Sequence, residues 1–143
     1  MRLFAEARPQ EEQYGEPDRG GAQVLRSVVR GHGADAFAAF FTDDAVYHNI
    51  PLAPVRGREA IANNFATFIR PGPPGVEGLD LRIINIAADG PVVMTERVDV
   101  FKLPGKSFEL PVMGTFEVSD GKINAWRDYF DMNQFTSLMG RGG

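Results

Sequence analysis

The sequence predicts an α+β domain in which helices come first and a long, mainly antiparallel sheet follows. Apolar residues recur at helical spacing in the first half of the chain, whereas the second half consists of strand-like segments joined by short turns. The chain has 143 residues, 43% of them hydrophobic, which is enough for one core. A strongly curved sheet packed on the N-terminal helices would leave a pocket at its open end.

Residues 1–20 are predicted to be a flexible tail, and residues 21–143 a single domain. The tail is rich in Pro, Gly, Glu and Gln and has no periodic apolar face. Its short apolar patch is broken by charged residues, so it does not fit a secretion signal. No segment approaches the roughly 20 apolar residues that a membrane span needs. We therefore expect a cytoplasmic protein with no membrane partner.

Three helices are predicted in the first half of the chain. The first begins at Ala22 and ends at a Gly-His-Gly sequence. The second spans 36–41, with its three phenylalanines on one face, and the third spans 57–70 and ends where Pro-Gly-Pro-Pro-Gly cannot continue a helix. Between the second and third helices, Thr-Asp-Asp at 42–44 predicts a turn and residues 45–49 a short strand.

Four strands are predicted to form an antiparallel meander in the second half. Asp-Gly sequences separate the first pair and the last pair, and a Pro-Gly sequence separates the middle pair. Asp-Gly between two apolar runs is a strong hairpin signal. The predicted strands cover residues 79–87, 91–102, 107–118 and 122–130, and a short amphipathic segment follows them.

The composition argues against several kinds of site. The chain has no cysteine, which excludes disulfides, thiol nucleophiles and cysteine-based zinc sites, and it has two histidines, His32 and His48. Its net charge of -4 would repel a phosphate backbone, so no nucleic-acid partner is expected. The Gly-Lys-Ser at 105–107 is not a phosphate-binding loop, because Val100 occupies the position where that loop requires a glycine.

Polar side chains occupy predicted inward positions on three strands. Alternation places Arg97 and Asp99 on one face of strand 91–102, among apolar neighbours. On the last strand Asp128 lies between two aromatic residues, and on the first strand Tyr47 and Asn49 share a face. Taken singly, Arg97 with Asp99 fits a surface ion pair worth about 0–1 kcal/mol. Asp128 alone fits a structural carboxylate that accepts hydrogen bonds from backbone donors or from one arginine.

The five polar residues together favour a site. Buried polar groups are costly unless they satisfy one another, so a shared cluster in an apolar pocket accounts for all of them. An arginine fork can bridge two carboxylates, and burial with mutual repulsion tends to keep one of the two protonated. The ionised carboxylate can then take a proton from water while the protonated one gives a proton to a leaving oxygen.

Three separated segments carry a family resemblance: YHNIPLAPVRGREAI at 47–61, ERVDVF at 96–101 and AWRDYFDMNQF at 125–135. They resemble the limonene-1,2-epoxide hydrolase family, within the wider group of SnoaL-like and NTF2-like folds. The resemblance implies a cone-like fold with a deep pocket. It also implies one-step conversion of a small, largely apolar epoxide and water to a vicinal diol, without a covalent intermediate, metal or organic cofactor. Homodimers are usual in the family.

The resemblance implies a role for each polar residue. Asp128 matches the general base, which activates a water that Tyr47 and Asn49 also hold. Asp99 matches the general acid, which protonates the epoxide oxygen. Arg97 matches the residue that links the two acids.

Apolar walls are expected around the substrate, by alternation and by similarity to the family. Plain core packing would explain each wall residue equally well. The opposite face of strand 91–102 would be covered by the partner in a homodimer, which a monomeric mass in solution would exclude. The predicted wall is Phe101, Leu110, Val112, Trp126, Phe130 and Phe135, and the face left for a partner is Met94, Val98 and Val100.

Two other functions are compatible with such a fold. An isomerase or cyclase could use Asp128 to abstract a carbon-bound proton while Tyr47 and Asp99 polarise a carbonyl. That reaction gives no role to an arginine that joins two acids. A noncatalytic module would bind apolar molecules without consuming them, and it has no need for this polar set.

Overall fold

A computed structural model describes residues 37–68 and 76–140. These residues form a mixed α+β fold, as predicted, with a six-stranded sheet and two helices. None of the helices within the described ranges is long and apolar enough to cross a membrane. In chain order the elements are β1 (Phe41–Asn49), β2 (Val55–Arg56), α1 (Arg58–Phe68), β3 (Gly78–Asp89), β4 (Val92–Leu103), β5 (Lys106–Ser119), β6 (Lys122–Tyr129) and α2 (Met132–Gly140).

The strand order in the sheet is β2-β1-β6-β5-β4-β3. The four strands of the second half pair antiparallel in sequence order, as the meander prediction requires. β1 then pairs parallel with β6, and β2 pairs antiparallel with β1. The first and last long strands are therefore neighbours, which brings residues from both halves of the chain to one face of the sheet.

The glycine-containing turns have the expected geometry. Asp120 and Gly121, between β5 and β6, have φ values of 50° and 76°. Positive φ at both central residues is typical of a type I′ hairpin turn, whose twist matches that of the flanking strands. Gly90 and Gly105 also have positive φ, at 57° and 73°. The sequence thus predicts where the three hairpins turn, although the β3–β4 turn consists of Gly90 and Pro91 while Asp89 ends β3 and pairs with Val92.

The region before α1 corrects two predictions. Residues 42–44 were expected to form a turn and Phe41 to end a helix, yet all of them belong to strand β1. The pairing explains the difference, because Phe41 lies opposite Ile123 and Val46 opposite Ala125. β1 therefore uses five residue steps where β6 uses two, and this irregular stretch accommodates the turn-forming residues.

Several other predictions concern segments that lie partly or wholly outside the described residues. The predicted tail at 1–20, the first helix from Ala22 and the Pro-Gly stretch at 71–75 lie outside the described residues. Of the predicted helix at 36–41, residues 37 and 38 are helical. The two-residue strand β2 was not predicted, because so short a segment has no periodicity.

Helix α1 is placed against β1 by polar contacts at its start. Arg58 donates from Nε to the carbonyl oxygen of Phe41 at 2.9 Å and pairs with Asp43 at 2.9 Å. Ile61 is fully buried, and Phe65 packs against the same core cluster as Ile61. Ile61 and Phe65, four residues apart, therefore form the inward face of the helix.

Two apolar clusters flank the middle of β4. Val93 belongs to one cluster, with Phe116 and Trp126, while Phe101 belongs to the other, with Leu110 and others. Between them, the inward positions of the strand are occupied by three buried polar residues, Thr95, Arg97 and Asp99. The polar cluster therefore lies on the covered face of the sheet, between the two cores.

Candidate active site

Three strands bring the predicted polar residues together. β4 carries Arg97 and Asp99, β6 carries Asp128, and β1 carries Tyr47 and Asn49. In the parallel pairing of β1 with β6, Asn49 lies opposite Asp128. Because side chains alternate along a strand, these residues all face the covered side of the sheet. The shared face predicted from the sequence is therefore present.

Arg97 lies between the two carboxylates. Its Nε and Nη2 donate to Asp99 at 2.9 and 3.0 Å, and its Nη1 and Nη2 donate to Asp128 at 3.1 and 2.9 Å. Nη1 also donates to the hydroxyl of Thr95 at 3.3 Å. A guanidinium has five N–H donors, and this arrangement provides an acceptor for each. The Arg97 guanidinium is thus fixed by Asp99 on one side and by Asp128 on the other.

The ionic cluster is removed from water. The side chain of Arg97 is 0% exposed, and those of Asp99 and Asp128 are 7% and 6% exposed. The Arg97 Cζ atom lies 5.8 and 5.7 Å from the ring centroids of Phe116 and Trp126, within the range of a cation–π contact. A surface ion pair, the simpler interpretation of Arg97 and Asp99, does not describe this geometry.

Trp126 contributes a hydrogen bond that the sequence analysis missed. Its indole Nε1 donates to Asp128 Oδ1 at 2.6 Å, from two residues away on the same strand. Trp126 was predicted only as an apolar wall residue, although a buried indole N–H usually finds an acceptor. Asp128 is therefore held by both Arg97 and Trp126.

Burial and charge set the protonation states of the cluster. Burial raises the pKa of Asp99, and the negative charge of Asp128 adds to this, while the hydrogen bonds and charge of Arg97 oppose it. For Arg97, burial disfavours the cation, yet the two carboxylates outweigh this and raise its pKa. Burial also raises the pKa of Tyr47, with Asp128 adding to the effect. The site therefore keeps a charged Arg97 and a neutral Tyr47 hydroxyl, and it makes Asp99 easier to protonate than an exposed aspartate.

A cavity of about 610 Å³ opens beside this cluster. Both carboxylates, Tyr47 and Asn49 reach its surface, whereas Arg97 lies beneath it. All six predicted wall residues line it as well. They are Phe101, Leu110, Val112, Trp126, Phe130 and Phe135. His48 does not contribute to the lining, and its Nε2 lies 2.9 Å from the carbonyl oxygen of Leu52.

Other parts of the cavity wall were not predicted. Most of them come from α1, β3 and the start of α2, and they include Phe65, Phe68, Leu79, Leu81 and Met132. The sequence indicates that such residues are inward-facing, but it does not indicate whether they face a cavity or another side chain. Asp131 caps α2 by accepting a hydrogen bond from the backbone N–H of Gln134 at 3.1 Å, and this helix carries Phe135 to the cavity.

The arrangement supports paired proton transfers. One carboxyl whose pKa is raised and a second carboxylate face the same mostly apolar cavity, together with a phenol and an amide. Such a pair can take a proton from one group and give a proton to another. Within the described residues, no group of three or more His, Asp or Glu side chains is placed to hold a metal ion.

Known proteins resemble this chain in both sequence and fold. Residues 22–141 match the family model described as the limonene-1,2-epoxide hydrolase catalytic domain. Over 118 residues the chain is 34% identical to Epoxide hydrolase EphG of Mycobacterium tuberculosis, covering 82% of this chain and 76% of that protein. A solved structure of an M. tuberculosis LEH-like epoxide hydrolase is 30% identical, with a TM-score of 0.72, and the match covers 86% of this chain and 91% of that one.

A more distant solved structure shares the architecture. It is a protein with a ketosteroid isomerase-like fold from Catenulispora acidiphila, 20% identical, with a TM-score of 0.70. The match covers 84% of this chain and 92% of that one. At this identity the likeness concerns the fold alone, because one fold supports many reactions.

Proposed function

From its membership of the limonene-1,2-epoxide hydrolase family, in which this chain is an epoxide hydrolase, we propose the reaction that it catalyses. The chain converts a small, largely apolar epoxide to a vicinal diol in one step. The observation that carries the proposal is the bridge of Arg97 between two buried carboxylates that both face the cavity. No covalent enzyme intermediate forms in this reaction.

Asp128 is the general base in the proposed reaction. Its carboxylate faces the cavity next to Asn49, which lies opposite it in the sheet, and Tyr47 lines the same wall. A water molecule accepting from Asn49 or Tyr47 and donating to Asp128 would be oriented with a lone pair toward the substrate. Asp128 takes one proton of this water as its oxygen attacks an epoxide carbon.

Asp99 is the general acid. Its raised pKa makes the protonated form available, and its carboxyl reaches the cavity from the neighbouring strand β4. As the carbon–oxygen bond of the epoxide breaks, the proton of Asp99 moves to the departing oxygen, which becomes the second hydroxyl of the diol. The cycle closes when the proton on Asp128 is returned to Asp99, so that epoxide and water are the sole reactants.

The cavity limits the substrate class. Its volume of about 610 Å³ lies within the range of small-molecule sites. On one side the ring of Phe135 packs against those of Phe101 and Phe130. Leu110 and Val112 lie on β5 beside the cluster. An apolar body with one epoxide oxygen fits this cavity, because most of the lining is apolar and the polar cluster supplies groups that can act on the oxygen.

The proposed enzyme is a homodimer of single-domain chains. We assign catalysis to a single domain at 21–143 whose sheet is strongly curved, cone-like and closed around a deep pocket in the NTF2-like manner. Two copies would associate through the uncovered face of the sheet. Met94 on that face is 51% exposed, and Met113 on the neighbouring strand is 52% exposed. Exposed apolar side chains on one sheet face are typical of a partner-binding surface.

A substrate panel tests the proposed function. The purified chain is incubated with small cyclic and linear epoxides, and separately with a ketosteroid-like ketone, and products are separated by chiral chromatography. We expect diol from at least one epoxide and no isomerised ketone. Isomerised ketone without any diol would support the isomerase alternative, and binding without turnover of either substrate would support a noncatalytic module.

A further inference from the structure

Strand β5 separates the two strands that carry the acids. β4 carries Arg97 and Asp99, β6 carries Asp128, and β5 lies between them in the sheet. Neighbouring strands are about 4.8 Å apart, so Arg97 must reach across β5 to bond Asp128. The residue of β5 under this crossing is Gly114, which pairs with Thr95 on one side and with Asp128 on the other.

A side chain at Gly114 would occupy the space that the guanidinium needs. A Cβ atom built there would overlap Arg97 Nη1 and would lie 2.8 Å from Asp128 Oδ1 and 3.0 Å from Thr95 Oγ1. Each of these atoms belongs to a buried residue of the hydrogen-bonded cluster. The obstructing atoms therefore cannot swing into solvent, as the end of an exposed side chain could.

The backbone gives no other reason for a glycine here. Gly114 is absent from the residues with positive φ among those described, so an alanine could adopt its conformation without strain. Glycine in a strand interior is unfavourable and often marks a close approach of another group. At Gly114 the group that approaches the backbone closely is the Arg97 guanidinium.

Thr95 contacts Arg97 Nη1, the nitrogen that a side chain at Gly114 would displace. It is 1% exposed, and its hydroxyl accepts a hydrogen bond from Nη1 at 3.3 Å. A guanidinium is a rigid plane, so a displacement of Nη1 also moves Nε and Nη2 away from Asp99. One position on β5 and one on β4 thus control the contacts of Arg97 with both acids.

We propose that Gly114 and Thr95 are positioning residues for the reaction. Gly114 leaves the space that the Arg97 guanidinium occupies between Asp99 and Asp128, and the hydroxyl of Thr95 accepts a hydrogen bond that keeps the guanidinium there. The inference rests on the proposed function and adds two residues that do not themselves touch substrate. It assigns the glycine to the geometry of the acid pair and not to a turn or a fold requirement.

Gly114→Ala tests the inference. Displacing the guanidinium should lower kcat about 100-fold with little change in KM, because the cavity walls remain and the acids are misplaced. Gly140→Ala is the matched control, since no atom lies within 4 Å of a Cβ at Gly140. Its kinetics should equal those of the wild type.

The pH profile separates positioning from a general loss of folded protein. In the proposed reaction catalysis requires a proton on Asp99, so kcat/KM falls as pH rises through the pKa of Asp99. Burial and the charge of Asp128 raise this pKa, and Arg97 lowers it. Tyr47, the other titratable group that faces the two acids, stays neutral because burial raises its own pKa. Loosening Arg97 removes that lowering effect. The alkaline limb of Gly114→Ala should therefore move to higher pH, whereas a smaller folded fraction would leave the limb in place.

Thr95 variants keep the test decisive if Gly114→Ala does not fold. Thr95→Val should lower kcat about tenfold and move the same limb to higher pH, because Nη1 loses an acceptor, and Thr95→Ser should restore both. A wild type that forms no diol overturns the proposed function and this inference together. If the wild type forms diol but the alkaline limb of Gly114→Ala stays where the wild type has it, the inference alone is overturned. If Gly114→Ala does not fold, an unmoved alkaline limb in Thr95→Val overturns it in the same way.

Discussion

Asp128→Asn is expected to lower kcat about 1,000-fold or more, since an amide cannot accept the proton of the attacking water. The substitution preserves size, so the chain should stay folded. It also replaces one acceptor of Arg97 by an N–H donor, which loosens the cluster further. If the replaced atom is Oδ1, Trp126 loses its acceptor as well.

Binding should survive in this variant and can be measured independently. Trp126 is the sole tryptophan of the chain and lines the cavity, so quenching of its fluorescence reports occupancy by an epoxide. Asp80→Asn is the matched control, because Asp80 carries an exposed carboxylate that pairs with Lys102 on the surface. Turnover by Asp128→Asn above a tenth of the Asp80→Asn value would contradict the role of the base.

Arg97→Met is expected to destabilise the fold by about 3–5 kcal/mol near neutral pH, as removal of one partner from a buried ionic group does. The substitution leaves two carboxyls 7% and 6% exposed without their cation. Their negative charges then oppose folding unless protons neutralise them. Urea unfolding followed by circular dichroism gives the change in the free energy of unfolding.

The pH dependence of this loss identifies its cause. Without the lowering effect of Arg97, burial and the charge of Asp128 hold the folded-state pKa of Asp99 above the unfolded value of about 4. A raised folded-state pKa contributes stability at low pH that is lost as pH rises through it. The deficit of Arg97→Met relative to wild type should therefore shrink as pH falls toward the ordinary carboxyl pKa.

Arg82→Met is the matched control for this comparison. Arg82 forms an ion pair with Glu109 at 3.0 Å, but the two side chains are 56% and 59% exposed. Exposed pairs are worth about 0–1 kcal/mol, so this control should lose little. Equal destabilisation by the two substitutions would show that the buried bridge does not hold the cluster together.

Strand alternation and turn chemistry were sufficient to predict most of the fold. The inward face of β4 follows from every second residue between Val93 and Phe101, and the Asp120-Gly121 turn follows from backbone preference. Both signals are local, so they can be recognised without knowing the rest of the structure. The predictions that β1 corrects were local too, but there pairing with β6 outweighs the turn preference of residues 42–44.

The candidate site was predictable in its polar members and less so in its surroundings. Asp99 and Asp128 are conspicuous because charges among apolar neighbours need partners. Gly114 carries no such signal, since the distance between its absent side chain and Arg97 exists only after three strands have paired. The indole hydrogen bond of Trp126 and the cavity side of α1 likewise depend on tertiary packing.

Single-turnover hydrolysis in water enriched in a heavy oxygen isotope is the most direct test of one-step attack. With enzyme in excess over epoxide, each active site reacts once, and mass spectrometry of the diol locates the label. Direct attack by water predicts one labelled hydroxyl in essentially every diol from the first turnover. Unlabelled diol in that turnover, with the heavy isotope recovered instead in a carboxyl of Asp128 or Asp99, would show that a carboxylate attacks the epoxide and would contradict the mechanism.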